Sequence, residues 1–193
     1  PGDIKYKDIS GPDGVPDGKI DSHDRTIIGN PTPRYEFGLT LGLQWKGIDF
    51  SAFFQGVGKK DVYYSGAGAR ALCGNYTIYK YQFDYWTPEN QDAKFPRLLE
   101  DPNATNPNNM ISSFWVKSGA YCRLKNIVIG YTLPSSITKA AHISKLRVYA
   151  SAQNLFTIKD NFYEGFDPEN SVSSGASLYP LNKTFVFGLN VEF

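Results

Sequence analysis

The C-terminal residues alternate between apolar and polar side chains. In the stretch KTFVFGLNVEF at 183–193, every second side chain from Phe185 to Phe193 is apolar, and polar or small ones lie between them, with Val186 as the one exception. A β-strand has a side-chain period of two, so this pattern predicts a strand at about 182–193. One face of that strand would be apolar and the other polar.

The same alternation occurs in four earlier segments, at about 34–46, 48–57, 121–133 and 145–156. Lys46 and Gly47 join the first two segments, which predicts a hairpin with a two-residue turn. In the third segment Arg123 and Lys125 share parity with apolar positions, which indicates a β-bulge or a start at a membrane interface. The sequence therefore predicts an antiparallel set of five strands.

The lengths of these strands and of their connections favour a membrane protein. Alternation over about ten residues is the length that crosses a bilayer at a tilt. Short turns at 46–47 and 134–143 would lie on one side, and long loops at 1–33, 58–119 and 157–181 on the other, as in outer-membrane barrels. We therefore predict an all-β fold that consists of the C-terminal strands of a large antiparallel transmembrane β-barrel with long extracellular loops.

This fold class divides the chain into an extracellular loop at 1–33 and the barrel strands and their loops at 34–193. Five strands cannot close a barrel, so we expect upstream strands from a longer protein. The start at Pro1, with no initiator Met or signal peptide, is consistent with that expectation, and we expect that the segment does not fold alone.

The composition argues against a nucleic-acid-binding protein and is consistent with a membrane β-protein. The 193 residues have a net charge of +1, which gives no electrostatic reason to expect a nucleic-acid partner. The chain is rich in aromatic residues, with 13 Tyr, 13 Phe and 3 Trp, and these favour strands and membrane interfaces. Cys73 and Cys122 permit one disulfide in an oxidising compartment.

Seven ordered stretches resemble the C-terminal part of SusC/RagA-like TonB-dependent outer-membrane transporters of Bacteroidota. They are GDIKYKD at 2–8, DGKIDSHDRTIIGNPTPRYEFG at 17–38, FFQG at 53–56, YWTPEN at 85–90, YCRLKNIVIGYTLP at 121–134, LRVYASAQNLFT at 146–157 and the terminal strand. The resemblance implies a plugged barrel of about 22 strands in the outer membrane. It also implies energy from TonB through a missing N-terminal part, a SusD-like surface lipoprotein as partner, contact with outer-membrane lipid, and import of oligosaccharides or peptides.

The acidic stretch DGVPDGKIDSHD at 13–24 resembles an EF-hand calcium loop in its spacing. The predicted metal ligands are Asp13, Asp17, Lys19, Asp21 and Asp24. Val15 replaces the usual acidic ligand at position 3, and Asp24 stands where a longer Glu is usual. A structural Ca²⁺ ion is one interpretation, and the alternative is a turn cluster in which Asp side chains cap backbone N–H groups.

Other residues give weaker functional signals. Loop aromatics could stack on sugars, contact a partner or order their own loop; they are Tyr63, Tyr64, Tyr76, Tyr79, Tyr81, Phe83, Tyr85 and Trp86. His23 and His142 lie near no catalytic motif, and no carboxylate pair is fixed by spacing, so we expect no enzyme. The alternative function is a secreted calcium-dependent carbohydrate-binding β-sandwich.

Overall fold

The computed structural model describes residues 1–66, 69–72, 77–100, 106–162, 166–169 and 181–193. Within these residues the chain forms two compact units. The sheet unit comprises Pro33–Lys60, Gly119–Asp160 and Tyr179–Phe193, and the loop unit comprises Pro1–Thr32, Asp61–Ser118 and Asn161–Leu178. No helix in the described part of the chain has the length and the apolar content needed to cross a membrane.

Eight strands are described, and they account for most of the regular structure. They are β1 (Tyr35–Trp45), β2 (Ile48–Gly58), β3 (Asp61–Tyr63), β4 (Val116–Ser118), β5 (Tyr121–Thr132), β6 (Lys145–Gln153), β7 (Thr157–Lys159) and β8 (Thr184–Glu192). The single α-helical turn among the described residues is α1 (Ser135–Thr138), and short 3₁₀ turns occur at Ser22–Asp24, Lys80–Phe83, Pro107–Asn109, Ser113–Trp115 and Lys139–Ala141. The predicted all-β antiparallel fold class is confirmed.

The sheet unit is one antiparallel sheet in the order β1-β2-β5-β6-β8, with β7 also paired to β5. Lys46 and Gly47 have φ values of 46° and 86°, which is the two-residue turn that matches the right-handed twist of a hairpin. Gly47 suits this position because it adopts positive φ without a steric penalty. Leu133 continues the pairing towards β6 by donating its N–H to the Leu146 carbonyl over 2.9 Å.

A bulge lies in β5, as the mixed parity of that strand predicts. Phe53 pairs with Asn126 and Phe54 pairs with Leu124, so Lys125 has no opposite residue on β2. The predicted strand at 145–156 is interrupted at the same level, because Asn154 has a φ of 53° and its N–H bonds to the Lys125 carbonyl. The two irregularities lie opposite each other, and β6 ends at Gln153 rather than at 156. Pairing with β5 resumes in β7 at Thr157, within the segment at 157–181 that was expected to be a loop.

The register places most apolar side chains of the five long strands on one face, with Phe53, Val57, Val128 and Val186 among the exceptions. Leu41 lies opposite Ala52, Ala52 opposite Ile127, and Ile127 opposite Ala152. This apolar face comprises Tyr35, Phe37, Leu39, Leu41, Leu43, Trp45, Ile48, Phe50, Ala52, Phe54, Cys122, Leu124, Ile127, Ile129, Tyr131, Leu146, Val148, Ala150, Ala152, Phe185, Phe187, Leu189 and Val191.

Much of this apolar face is open. The strand β1 is exposed along its whole length, and Phe187 of β8 is 82% exposed. A soluble β-sandwich would cover such a face with a second sheet to form its core. The long strands form a single sheet, and many of the large apolar side chains on this face are exposed, although Ala52, Leu124 and Ala152 are buried. This exposure is evidence against the sandwich alternative.

The loop unit has its own core, although the short β3–β4 pair is the only strand pairing among its described strands. Its buried residues are Val62, Tyr64, Ala69, Phe95 and Trp115. Trp115 is 2% exposed, and its indole N–H donates to the Asn108 carbonyl over 2.9 Å. The long segment at 58–119 is therefore a packed structure in its described parts.

The first residues of the chain fasten onto this core. Asp3 accepts both Nε–H and Nη2–H of Arg97 at 2.7 Å, and it also accepts the Asn108 side-chain amide at 2.7 Å. In return Asn108 Oδ1 accepts the Ile4 N–H at 2.7 Å. Four hydrogen bonds thus join segments that are about a hundred residues apart in sequence.

Candidate functional site

The polar face of the sheet carries a paired charge close to the short turn. Arg147 donates from Nε to Asp49 Oδ1 at 2.8 Å and from Nη2 to Asp49 Oδ2 at 2.5 Å. The two side chains are only 20% and 30% exposed. A bidentate arginine–carboxylate pair fixes both side chains in one geometry, so this part of the face is rigid and hydrophilic.

Two glycines make room for this arrangement. A Cβ atom on Gly130 would lie 2.4 Å from Arg147 Nη2 and 2.5 Å from Asp49 Oδ1, so the ion pair crosses β5 directly over that residue. A Cβ atom on Gly188 would lie 2.3 Å from the Tyr149 ring, and Arg147 Cζ lies 5.0 Å from the centre of that ring. The glycines let long polar side chains lie flat across the strands.

The two faces of the sheet therefore suit different surroundings. Charged and hydrogen-bonding groups are costly against hydrocarbon, whereas alternating lipid-facing and water-facing positions are typical of transmembrane barrels. The face with the Asp49–Arg147 pair suits an enclosed aqueous space. The opposite face, with its exposed Phe, Leu, Ile and Val side chains, suits lipid.

The predicted metal ligands lie in the loop unit, and the carboxylate oxygens of Asp17, Asp21 and Asp24 mainly accept backbone N–H groups. Asp24 accepts the N–H groups of Ile9, Ser10 and Asp21 at 2.7, 3.2 and 2.9 Å. Asp21 accepts from the N–H and the Nδ1 of His23 at 2.8 and 2.9 Å. In the parts of the chain that the structure describes, no group of three or more Asp, Glu, His or Cys residues is placed to hold a metal.

The other predicted ligands are Asp13, Asp17 and Lys19, and they differ in their hydrogen bonds. Asp17 Oδ1 accepts the N–H of Lys19 at 2.9 Å, which closes a local turn. Asp13, the first residue of the stretch, is exposed. These contacts resemble the capping alternative, and calcium binding stays a prediction.

Sequence reasoning missed Asp8, which lies outside the twelve-residue spacing. Its Oδ2 accepts the Gly18 N–H at 2.6 Å, and its Oδ1 is buried without a hydrogen-bond partner. A side-chain hydrogen bond with the Asp8 carboxyl also lowers the pKa of Asp24. The only sequence signal was its place at the end of the GDIKYKD stretch, nine residues before Asp17.

The hydrogen bonds in this loop favour the ionised forms of Asp21 and Asp24. Backbone N–H groups, first that of Asp21 and then that of Ile9, lower the pKa of Asp24. The His23 N–H and then its side chain lower the pKa of Asp21. A lowered pKa in the folded state stabilises the loop above the unfolded value, and this contribution is lost as the pH falls through the folded value.

The loop unit also contains a wide cleft of about 1780 Å³. Its lining includes the strongly exposed side chains of Ile27, Met110 and Ile111 and the half-buried side chains of Tyr63 and Arg70. A concave surface with apolar walls and a few polar groups is typical of ligand sites.

Most of the candidate aromatics contribute to the core of the loop unit. Tyr64 is buried in it, and Tyr63, Tyr81 and Tyr85 pack against it. Tyr79 stacks on Tyr81 with 5.8 Å between ring centres, and burial raises the pKa of the Tyr81 hydroxyl. Phe83 is 60% exposed, and Trp86 lines the cleft. Tyr76 lies outside the described residues.

The remaining candidates have no shared site. His23 contacts Asp21 at the surface, and His142 occupies a left-handed turn position after Lys139–Ala141. Cys122 lies in β5 and is half-buried, whereas Cys73 is outside the described residues, so their pairing stays a prediction.

Comparisons with known proteins agree on one group of relatives, although no family model matches the chain. TonB-dependent receptor P3 of Formosa agariphila is 33% identical across the whole chain, which corresponds to 19% of that receptor. TonB-dependent receptor SusC of Bacteroides thetaiotaomicron is 29% identical over 91% of the chain and 17% of its own length. The chain thus spans about a fifth of the relatives it matches.

Solved structures give the same result. The RagAB peptide importer in its closed-closed state matches 95% of this chain with a TM-score of 0.69 and 26% identity, over 20% of the matched chain. Its open-open state matches 94% with a TM-score of 0.67 and 28% identity. The fold, the sequence matches and the two-faced sheet together show that the chain belongs to the SusC/RagA-like TonB-dependent receptors. It corresponds to the C-terminal portion of their β-barrel.

Proposed function

We propose that this chain forms the final wall of a TonB-dependent importer in the bacterial outer membrane. The observation that carries the proposal is the continuous apolar face across β1, β2, β5, β6 and β8, with the Asp49–Arg147 pair on the opposite face. In a barrel wall the first face contacts lipid and the second lines the interior. The activity is gated uptake without chemical change of the cargo.

The proposal extends to partners and cargo through the relatives. The receptor works with a SusD-like surface lipoprotein, takes energy from TonB through its N-terminal part, and imports oligosaccharides or peptides. The long connections at 1–33, 58–119 and 157–181 lie on the extracellular side, where the loop unit meets cargo.

Uptake by the full-length receptor tests this function. Cells that contain the receptor should accumulate labelled cargo, and accumulation should stop when TonB is deleted or the proton gradient is collapsed. The receptor should fractionate with the outer membrane and migrate faster in detergent gels before heating than after it. A full-length protein in the soluble fraction would contradict the proposal, as would uptake that persists without TonB.

We also propose that Ca²⁺ orders the acidic loop, and one observation favours this role over capping alone. Asp8 Oδ1 is buried without a hydrogen-bond partner, and its carboxyl lies beside the ionised Asp24. A hydrogen bond between two carboxyls requires a shared proton, and a cation can take the place of that proton. A cation there would draw oxygens from Asp8, Asp17, Asp21 and Asp24 and from the Lys19 backbone, while Asp13 would lie outside the site.

Calcium should therefore raise the melting temperature of the full-length receptor, and Asp24→Asn or Asp8→Asn should abolish that increase. Asp13→Asn is the matched control and should retain it. The measurement is thermal unfolding in CaCl₂ and in EGTA, with terbium luminescence as a direct binding assay. Equal melting of the wild type in both solutions, with Asp24→Asn lowering both equally, would show that the carboxylates act only as backbone caps.

A further inference from the structure

The cleft of the loop unit has walls that suit a peptide better than a sugar. Its most exposed apolar side chains are aliphatic, with Ile27 92%, Ile111 73% and Met110 57% exposed. Sugars stack on flat aromatic faces, which these side chains lack. Aromatic rings also line the cleft, but none of them is fully exposed: those of Tyr6, Tyr63, Trp86 and Phe114 are half-buried and that of Phe95 is buried. The Trp86 ring packs closely on Gly2, since a Cβ there would lie 2.4 Å from it.

The charges of the cleft are unbalanced. Its cations Lys5, Lys7, Arg25 and Arg70 form no salt bridge within the described residues. Its acidic groups already have partners, because Asp3 is held by Arg97 while Asp21 and Asp24 accept backbone N–H groups. The surplus of unpaired positive charge favours an anionic occupant.

Among these cations, Arg70 is the one placed to bind a negatively charged group of the occupant. Its Nη2 donates to the Tyr63 hydroxyl, and its Cζ lies 5.9 Å from the centre of the Tyr63 ring. Its Nε is buried without a hydrogen-bond partner. Arg70 as a whole is half-buried. A buried N–H donor without a partner costs free energy, and the planar donors of a guanidinium match a carboxylate.

We propose that the cleft binds a peptide and that Arg70 binds a carboxylate of that peptide, either its C-terminus or an acidic side chain. The aliphatic walls take apolar side chains, and Arg70 is the residue that selects for negative charge. This inference rests on the importer function proposed above and names the class of cargo for it.

Binding of defined peptides to the full-length receptor, purified with its lipoprotein partner, tests the proposal. The probes are an acidic hexapeptide with a free C-terminus, a neutral hexapeptide with an amidated C-terminus, and trigalacturonate as an acidic sugar. Arg70→Gln should weaken binding of the acidic peptide by about tenfold or more, since a charge-assisted hydrogen bond is lost. Binding of the neutral peptide should change little, and Lys80→Gln is a charge-matched control outside the cleft.

The contrary results are distinct. Equal binding of the acidic peptide by the wild type and Arg70→Gln would overturn the role of Arg70. Arg70-dependent binding of trigalacturonate without peptide binding would overturn the peptide assignment. A lower melting temperature of Arg70→Gln without cargo, with unchanged peptide affinity, would show that a carboxylate elsewhere in the receptor occupies Arg70. In all three cases TonB-dependent uptake would persist, whereas failure of the importer function would abolish uptake of every cargo.

Discussion

Replacing Leu41 with arginine in the full-length receptor is expected to destabilise the folded barrel by about 2–4 kcal/mol, the cost of a cation at the middle of a lipid-facing strand. Leu41 is central in β1 and is 46% exposed on the apolar face. An arginine there must either enter hydrocarbon or bend towards the interface at the expense of its neighbours' packing. Urea unfolding in lipid vesicles measures the loss directly.

Thr40→Arg is the matched control, because Thr40 is the adjacent residue and faces the other way. It lies opposite Phe53 on the polar face, where a long cation reaches an aqueous interior. This variant should lose less than about 1 kcal/mol, a typical surface substitution. If both variants lose the same stability, or if Thr40→Arg loses more, β1 does not present Leu41 to lipid.

The strands could be predicted from the sequence because their two faces meet different surroundings. Lipid on one side and water on the other make the alternation from Tyr35 to Trp45 nearly complete, and a one-residue slip would reverse every side chain. The turn at Lys46 and Gly47 could be predicted for the same local reason. The β5 bulge was visible because Lys125 breaks the parity, but the matching interruption at Asn154 depends on pairing between strands.

The loop unit was beyond sequence reasoning because its contacts are distant along the chain. Asp3 and Asn108 bond to each other across 105 residues, and no periodicity marks either one. The acidic loop shows the same limit. A fixed twelve-residue spacing selected Asp13, whereas folding brings Asp8 beside Asp24 across an intervening turn.

Replacing Trp115 with alanine is expected to destabilise the loop unit by about 3–5 kcal/mol, the usual cost of removing a buried aromatic side chain. Trp115 is 2% exposed, packs edge-on against Phe114 at 4.9 Å, and donates its indole N–H to Asn108. Its own carbonyl accepts the Tyr64 N–H, so the backbone around it is also held in place. The side chain therefore joins the core to the segment that fastens Asp3 and Ile4.

Limited proteolysis of the full-length receptor on intact cells should separate this loss from damage to the barrel. In Trp115→Ala the segment at 58–119 should be cut rapidly, while heat-modifiable migration of the barrel persists, because the sheet has its own hydrogen-bond ladder. Phe83→Ala is the control, since Phe83 is 60% exposed and its removal leaves no cavity. Trp115→Phe should fall between the two, because it keeps most of the packing but leaves the Asn108 carbonyl without its donor. Protection of Trp115→Ala equal to that of the wild type would show that contacts outside this core hold the loops in place.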